Sequence, residues 1–122
     1  EHGTVEVARR DTLTKETMPL EGISAHIEQL LEEIQSNLYN RSLQSLKDRT
    51  YICDSYDEFK ERIEDGGFFL CHWDGTAETE ARIKEETKAT IRCIPRDIPS
   101  EPGRCMVTGR PSKCRVIIAR SY

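Results

Sequence analysis

Cys71 and His72 stand side by side, the one place in the chain where a thiol adjoins an imidazole. A thiolate next to a base is the chemistry of a nucleophile. Neighbouring residues on an extended strand point to opposite faces, however, so this pair cannot readily share a proton. No third residue at an orienting spacing is recognisable. The remaining thiols are Cys53, Cys93, Cys105 and Cys114. An odd count without a secretion signal reads as reduced thiols in a cytoplasmic protein. Each reads first as a small apolar packing residue. His2 and His26 have no recognisable partners, and His26 is expected on a helix surface. There is no phosphate-binding glycine loop. Gly103, Gly109 and Pro111 read as turn formers.

Charge gives a second clue. The chain has 122 residues and a net charge of -4, but residues 87–122 carry 8 basic and 2 acidic groups. An acidic body with a basic end suits a piece that docks that end on something acidic, either another domain or RNA. Arg104, Arg110, Lys113, Arg115 and Arg120 are the candidate docking patch. No apolar run approaches the roughly 20 residues that span a bilayer, so no membrane is expected. The first residues lack a signal peptide's basic region and apolar run. The chain starts on Glu1 rather than Met, which reads as an excised fragment.

The elements that must position these groups follow from periodicity. Thr4–Ala8 alternates as a strand, with a short return strand over Lys15–Met18. Two strands alone are marginal in water, so this start reads as the edge of a larger sheet. Ile23, Ile27, Leu30, Leu31, Ile34, Leu38 and Leu43 recur at helical steps and predict one long helix reaching about Arg49. At about 1.5 Å per residue it would run about 40 Å and bridge two packed bodies. Ser55 and Glu58 have capping-box spacing and open a second helix with Tyr56, Phe59 and Ile63 on its apolar face. Gly66-Gly67 end it. Phe68–Trp73 predicts a buried strand, Thr76 opens a third helix with Ala81 and Ile83 inward, and Thr90–Ile94 predicts a strand halted by Pro95. Residues 95–104 read as a loop, and Arg115–Ala119 as the final strand. The fold class is α+β: a long connecting helix, then a small mixed domain with helices packed on a short sheet.

The chain also resembles a known family. The residues that carry the likeness are Phe68-Phe69-Leu70-Cys71-His72-Trp73, the stretch Lys84–Pro95, the run Gly103-Arg104-Cys105-Met106-Val107-Thr108-Gly109-Arg110-Pro111-Ser112, and the end Ala119-Arg120-Ser121-Tyr122. In that order they resemble the carboxy-terminal domain of class II prolyl-tRNA synthetases of the archaeal/eukaryotic-like type. Upstream, Ala8-Arg9-Arg10-Asp11-Thr12 is similar to the end of the anticodon-binding domain of class II synthetases. The resemblance implies three parts: residues 1–20 as the end of the anticodon-binding domain, 21–49 as a connecting helix, and 50–122 as the carboxy-terminal domain.

The resemblance implies site residues as well. Relatives often hold a structural zinc with four cysteines, and the matching positions here are Asp74, Thr79, Cys105 and Thr108. One thiol, one carboxylate and two hydroxyls make a poor zinc shell. A rebuilt site from Cys71, His72 and Cys105 would supply three ligands where four are usual. The implied state is a zinc-ribbon relic held by packing and turn glycines, with no structural zinc and no cofactor in this piece. Tyr122 matches the family's terminal tyrosine, whose carboxylate reaches toward the catalytic domain. The implied parent is a proline–tRNA ligase that uses ATP and Mg²⁺, acts on tRNA(Pro), works as a cytoplasmic homodimer, and contains catalytic and anticodon-binding domains. None of the class II active-site signatures is present, so this piece is expected to be inactive and structural. The competing expectation is a stand-alone RNA-binding or protein-interaction module using the basic tail.

Overall fold

The computed structural model describes residues 3–121. They fall into two compact units, one up to Ser45 and one from Leu46. In the first, β1 (Thr4–Arg9) pairs antiparallel with β2 (Thr14–Pro19) in a hairpin that registers Val5 with Met18 and Val7 with Glu16. The return strand is longer than the alternation predicts. Helix α1 (Ile23–Asp48) begins just after Gly22, whose φ of 74° suits glycine. It ends one residue short of the expected Arg49.

The predicted stripe on α1 is only partly sheltered. Ile23, Ile27, Leu30, Ile34 and Leu43 are half-buried, whereas Leu31 and Leu38 are 60 % and 46 % exposed. Asn37 takes a half-buried place instead, donating to Asp11 at 2.8 Å. Leu31 and Leu38 lie one heptad apart, so they share a flank of the helix outside the sheltered face.

The second unit holds a four-stranded sheet in the order β3 (Thr50–Ile52), β4 (Phe68–His72), β8 (Arg115–Arg120), β5 (Ala89–Cys93). β3 runs parallel to β4, while β4 and β5 both pair antiparallel with β8. The sequence pattern did not predict β3, because three residues with only a half-buried face give no periodic signal. Cys71 opposite Val116 and Phe69 opposite Ile118 place four apolar residues on one sheet face. Helix α2 (Tyr56–Arg62), the 3₁₀ turn Ile63–Asp65 and helix α3 (Ala77–Thr87) cover that face with Phe59, Ile63 and Ile83.

The caps explain the helix boundaries. Ser55 Oγ accepts from the Glu58 amide, but the Glu58 side chain pairs with Arg62 rather than closing a capping box. Thr76 caps α3 through the Thr79 amide. Lys88, with φ 61°, ends α3 where a glycine is the usual solution. Thr79, Ile83 and Thr87 form α3's inner face at i, i+4 and i+8, so Ala81 is exposed, against expectation. The expected strand at Thr90–Ile94 is β5, one residue earlier, with a bulge between Ile91 and Cys93. Inside the expected loop and turn region, Gly103–Arg104 (β6) and Pro111–Ser112 (β7) form a small hairpin.

Candidate functional site

Asp74, Thr79, Cys105 and Thr108 come from three places: the loop after β4, the first turn of α3, and the turn between β6 and β7. The structure joins three of them through one carboxylate. Asp74 Oδ2 accepts from Thr79 Oγ1 at 2.9 Å and from Thr108 Oγ1 at 2.8 Å. Asp74 Oδ1 accepts from the Thr76 amide at 3.1 Å and from Thr76 Oγ1 at 2.9 Å. Two donors on each oxygen match the roughly four acceptor sites of an ionised carboxyl. Burial pushes the Asp74 carboxyl up, but the hydrogen bonds from Thr108, Thr76 and Thr79 outweigh it and hold the group below its ordinary value.

The turn that carries Cys105 and Thr108 is itself well fixed. The Gly109 amide donates to Cys105 O at 2.8 Å, and the Cys105 amide donates to Arg110 O at 2.8 Å. Gly109 has φ 70°, the left-handed conformation that lets the turn close at low cost. The Met106 amide donates to His72 O, tying the turn to the end of β4. Cys105 is buried.

This donor set does not fit zinc. Both threonine hydroxyls direct their protons at Asp74, so neither offers a thiolate's charge or softness. Among the described residues no buried side-chain nitrogen or oxygen lacks a partner, and no three His, Cys, Asp or Glu side chains gather as metal ligands.

Cys71 and His72 face opposite sides of the sheet. Cys71 lies in the core cluster, where burial pushes its thiol far above the ordinary value. His72 sits behind the sheet with Nδ1 3.1 Å from Ser112 Oγ. Ser112 gives its one proton to Cys114 O at 2.9 Å, so His72 Nδ1 is the donor in that contact. Gly103 closes over the ring: a Cβ there would lie 2.3 Å from His72 Nε2. This close approach requires a glycine at position 103, and the histidine is a packed structural group.

The expected basic patch does not form one surface. Arg115, at the start of β8, is only 10 % exposed and is taken by Asp54 at 2.6 Å and Glu101 at 3.2 Å. Arg115 and Arg120 stand at opposite ends of β8. Arg104 donates to Gly109 O, while Arg110, Lys113 and Arg120 are exposed.

Sequence reasoning named Arg120 but missed the group it belongs to. Arg49, Arg92 and Arg120 line a cleft of about 570 Å³ together with Gly67, Phe68 and Ser121. Arg92 donates to Ser121 Oγ at 2.6 Å. None of the three arginines has a salt bridge among the described residues. No local pattern could find this group, because its members come from three distant elements. Tyr122, the expected terminal contact, and His2 lie outside the described residues.

Comparison with known proteins places these features in a family. The family described as "Prolyl-tRNA synthetase, C-terminal" matches residues 56–122. The chain is 60 % identical over 122 residues to "Proline--tRNA ligase" of Porphyromonas gingivalis, covering all of this chain and 25 % of that protein. It is 60 % identical over 126 residues to the protein of the same name from Bacteroides fragilis, and 57 % identical over 123 residues to that of Cytophaga hutchinsonii, again covering 25 % of each. The chain thus spans about a quarter of the length of these relatives. It belongs to the prolyl-tRNA synthetase C-terminal family.

Proposed function

We propose that this chain is the carboxy-terminal quarter of a proline–tRNA ligase of the archaeal/eukaryotic-like type and supports that enzyme structurally. The observation that carries the reading is the 60 % identity to "Proline--tRNA ligase" along the entire chain. In this reading residues 1–20 end the anticodon-binding domain, 21–49 connect, and 50–122 form the carboxy-terminal domain. The parent esterifies tRNA(Pro) with proline, using ATP and Mg²⁺ bound elsewhere. Its other domains and tRNA are the partners, and it acts as a cytoplasmic homodimer. Among the described residues no helix is long and apolar enough to cross a membrane.

The chain's own residues supply support rather than chemistry. Cys71 is buried and held protonated, and His72 is locked by Ser112 and Gly103. Neither is placed to move a proton on a substrate. The Arg49, Arg92 and Arg120 cleft is the best-supported docking face, because guanidinium forks without carboxylate partners among the described residues match acidic groups bidentately.

The test is a charging assay on the full enzyme with and without these residues. The isolated chain should give no proline-dependent pyrophosphate exchange, and its removal should lower charging of tRNA(Pro) by the remainder. Exchange by the isolated chain would reject the structural role. A tRNA titration of the chain at two salt concentrations addresses the competing RNA-binding module. That module would lose affinity with a slope near one per neutralised phosphate.

A further inference from the structure

We infer that the Asp74 carboxylate occupies the place of a metal ion, so that hydrogen bonds join β4, α3 and the 105–109 turn where four thiolates would join them through zinc. The matched positions come from the resemblance to relatives that hold zinc, the hydrogen bonds come from this chain, and neither depends on the parent's activity.

Three observations carry it. First, the two threonines at the matched positions both reach one oxygen of Asp74, at 2.8 and 2.9 Å, from elements separated in sequence. Side chains that share one small acceptor from two directions surround a point, as ligands surround an ion. Second, Asp74 Oδ2 lies two bonds beyond Cβ, whereas a cysteine sulfur lies one bond beyond it. Shortening the side chain to cysteine would vacate the spot where both hydroxyls already point. Third, Cys105 and Thr108 flank a turn closed by the Gly109 amide on Cys105 O. That closure fixes the turn from which Thr108 reaches Asp74, with Cys105 still a buried thiol.

A negative carboxylate ringed by hydroxyl protons performs the linking task of a cation ringed by thiolates with the signs reversed. Each arrangement neutralises a central charge with donors of opposite polarity drawn from the same three segments. The hydroxyl version needs no metal supply and exposes no thiolate shell to oxidation.

The experiment restores the ligands. The variant carrying Asp74→Cys, Thr79→Cys and Thr108→Cys, with Cys105 native, is titrated with cobalt(II) and then zinc under reducing conditions. The native chain should take up no cobalt and should melt at the same temperature with and without chelator. The triple variant should go from no metal to one per chain, with the visible absorption of tetrahedral thiolate cobalt, bleached when zinc displaces it. Adding Cys105→Ser to that variant should abolish the absorption.

Stoichiometric, chelator-sensitive metal in the native chain would overturn the inference. So would a folded triple variant, judged by amide protection in β4 and β8, that takes up no cobalt. If the triple variant folds neither with metal nor without it, two single variants decide. Thr108→Val and Asp74→Asn each remove one part of the ring, and each should lower the melting temperature of the second unit. Unchanged melting in both would reject the carboxylate as the linking centre.

Discussion

Asp11, in the hairpin–helix region, accepts two hydrogen bonds from the Arg9 guanidinium at 3.0 and 3.1 Å and one from Asn37 at 2.8 Å. Asp74, in the sheet region, accepts from three threonines instead. Both carboxylates have a donor on each oxygen, but their surroundings differ. All twelve buried apolar side chains found among the described residues lie at Cys53 or beyond. The hairpin and α1 shelter theirs only halfway. Asp11 therefore ties together elements that lack a closed core, with Arg9 also reaching Glu33 at 3.2 Å. Asp74 ties a loop to a domain that already has one. The lesson is that a polar node carries a larger share of local order where apolar burial is small.

The largest expected effect lies in the core. Phe59 is fully buried and meets Phe69 edge-on, with ring centroids 5.4 Å apart. Phe59→Ala should cost about 3–5 kcal/mol of stability in the sheet region. Ile27→Ala, on the half-buried face of α1, should cost well under half of that. Urea melts followed by region-specific amide signals check the ratio. Equal losses would mean that the hairpin–helix region has a core of its own.

Acid should separate the two regions next. Hydrogen bonds from Arg9 and then Asn37 hold the Asp11 carboxyl well below the usual carboxylate range. A depressed folded value contributes stability that is complete above the unfolded value, about 3.9, and fades as pH falls through the folded one. Protection of the β1 amides should therefore decline below about pH 4 while β4 and β8 remain protected by their core. Asp11→Asn should remove this acid step from β1. A single shared acid midpoint for both regions, unmoved in the variant, would break the comparison.

These contrasts show where the sequence was informative. The period of α1, the buried run Phe68–His72 and the caps at Ser55 and Thr76 were legible, because each is a local signal spread over one element. The resemblance singled out Asp74, Thr79, Cys105 and Thr108 only as positions of a lost zinc shell. That one carboxylate would gather both hydroxyls was not legible, since the contact with Thr108 spans 34 residues. Ala81 misled because apolarity marked it for the interior, while Thr79 took the inner place and satisfied its hydroxyl on Asp74. Arg115 misled in the opposite sense. Its charge marked it for the surface, but two carboxylates from distant segments draw it in. Helical period gave the stripe on α1 but not its sheltered width, which depends on what the hairpin covers.

The smallest expected effect follows from that last point. Leu38 belongs to the apolar stripe by spacing, yet it is 46 % exposed, while Asn37 beside it turns inward to Asp11. Leu38→Lys keeps a good helix former at the position and adds a charge on the wet flank. It removes little buried area, so its cost in this chain should stay within about 0.5 kcal/mol, the range of ordinary surface changes. Asn37→Ala, one residue away, removes a donor from Asp11 and should cost more than Leu38→Lys despite deleting no apolar surface. Thermal melts of both variants, read from hairpin amides, decide the order. If Leu38→Lys proved the more damaging, apolar packing would organise the first region after all, and the Asp11 node would be a minor contact on its edge.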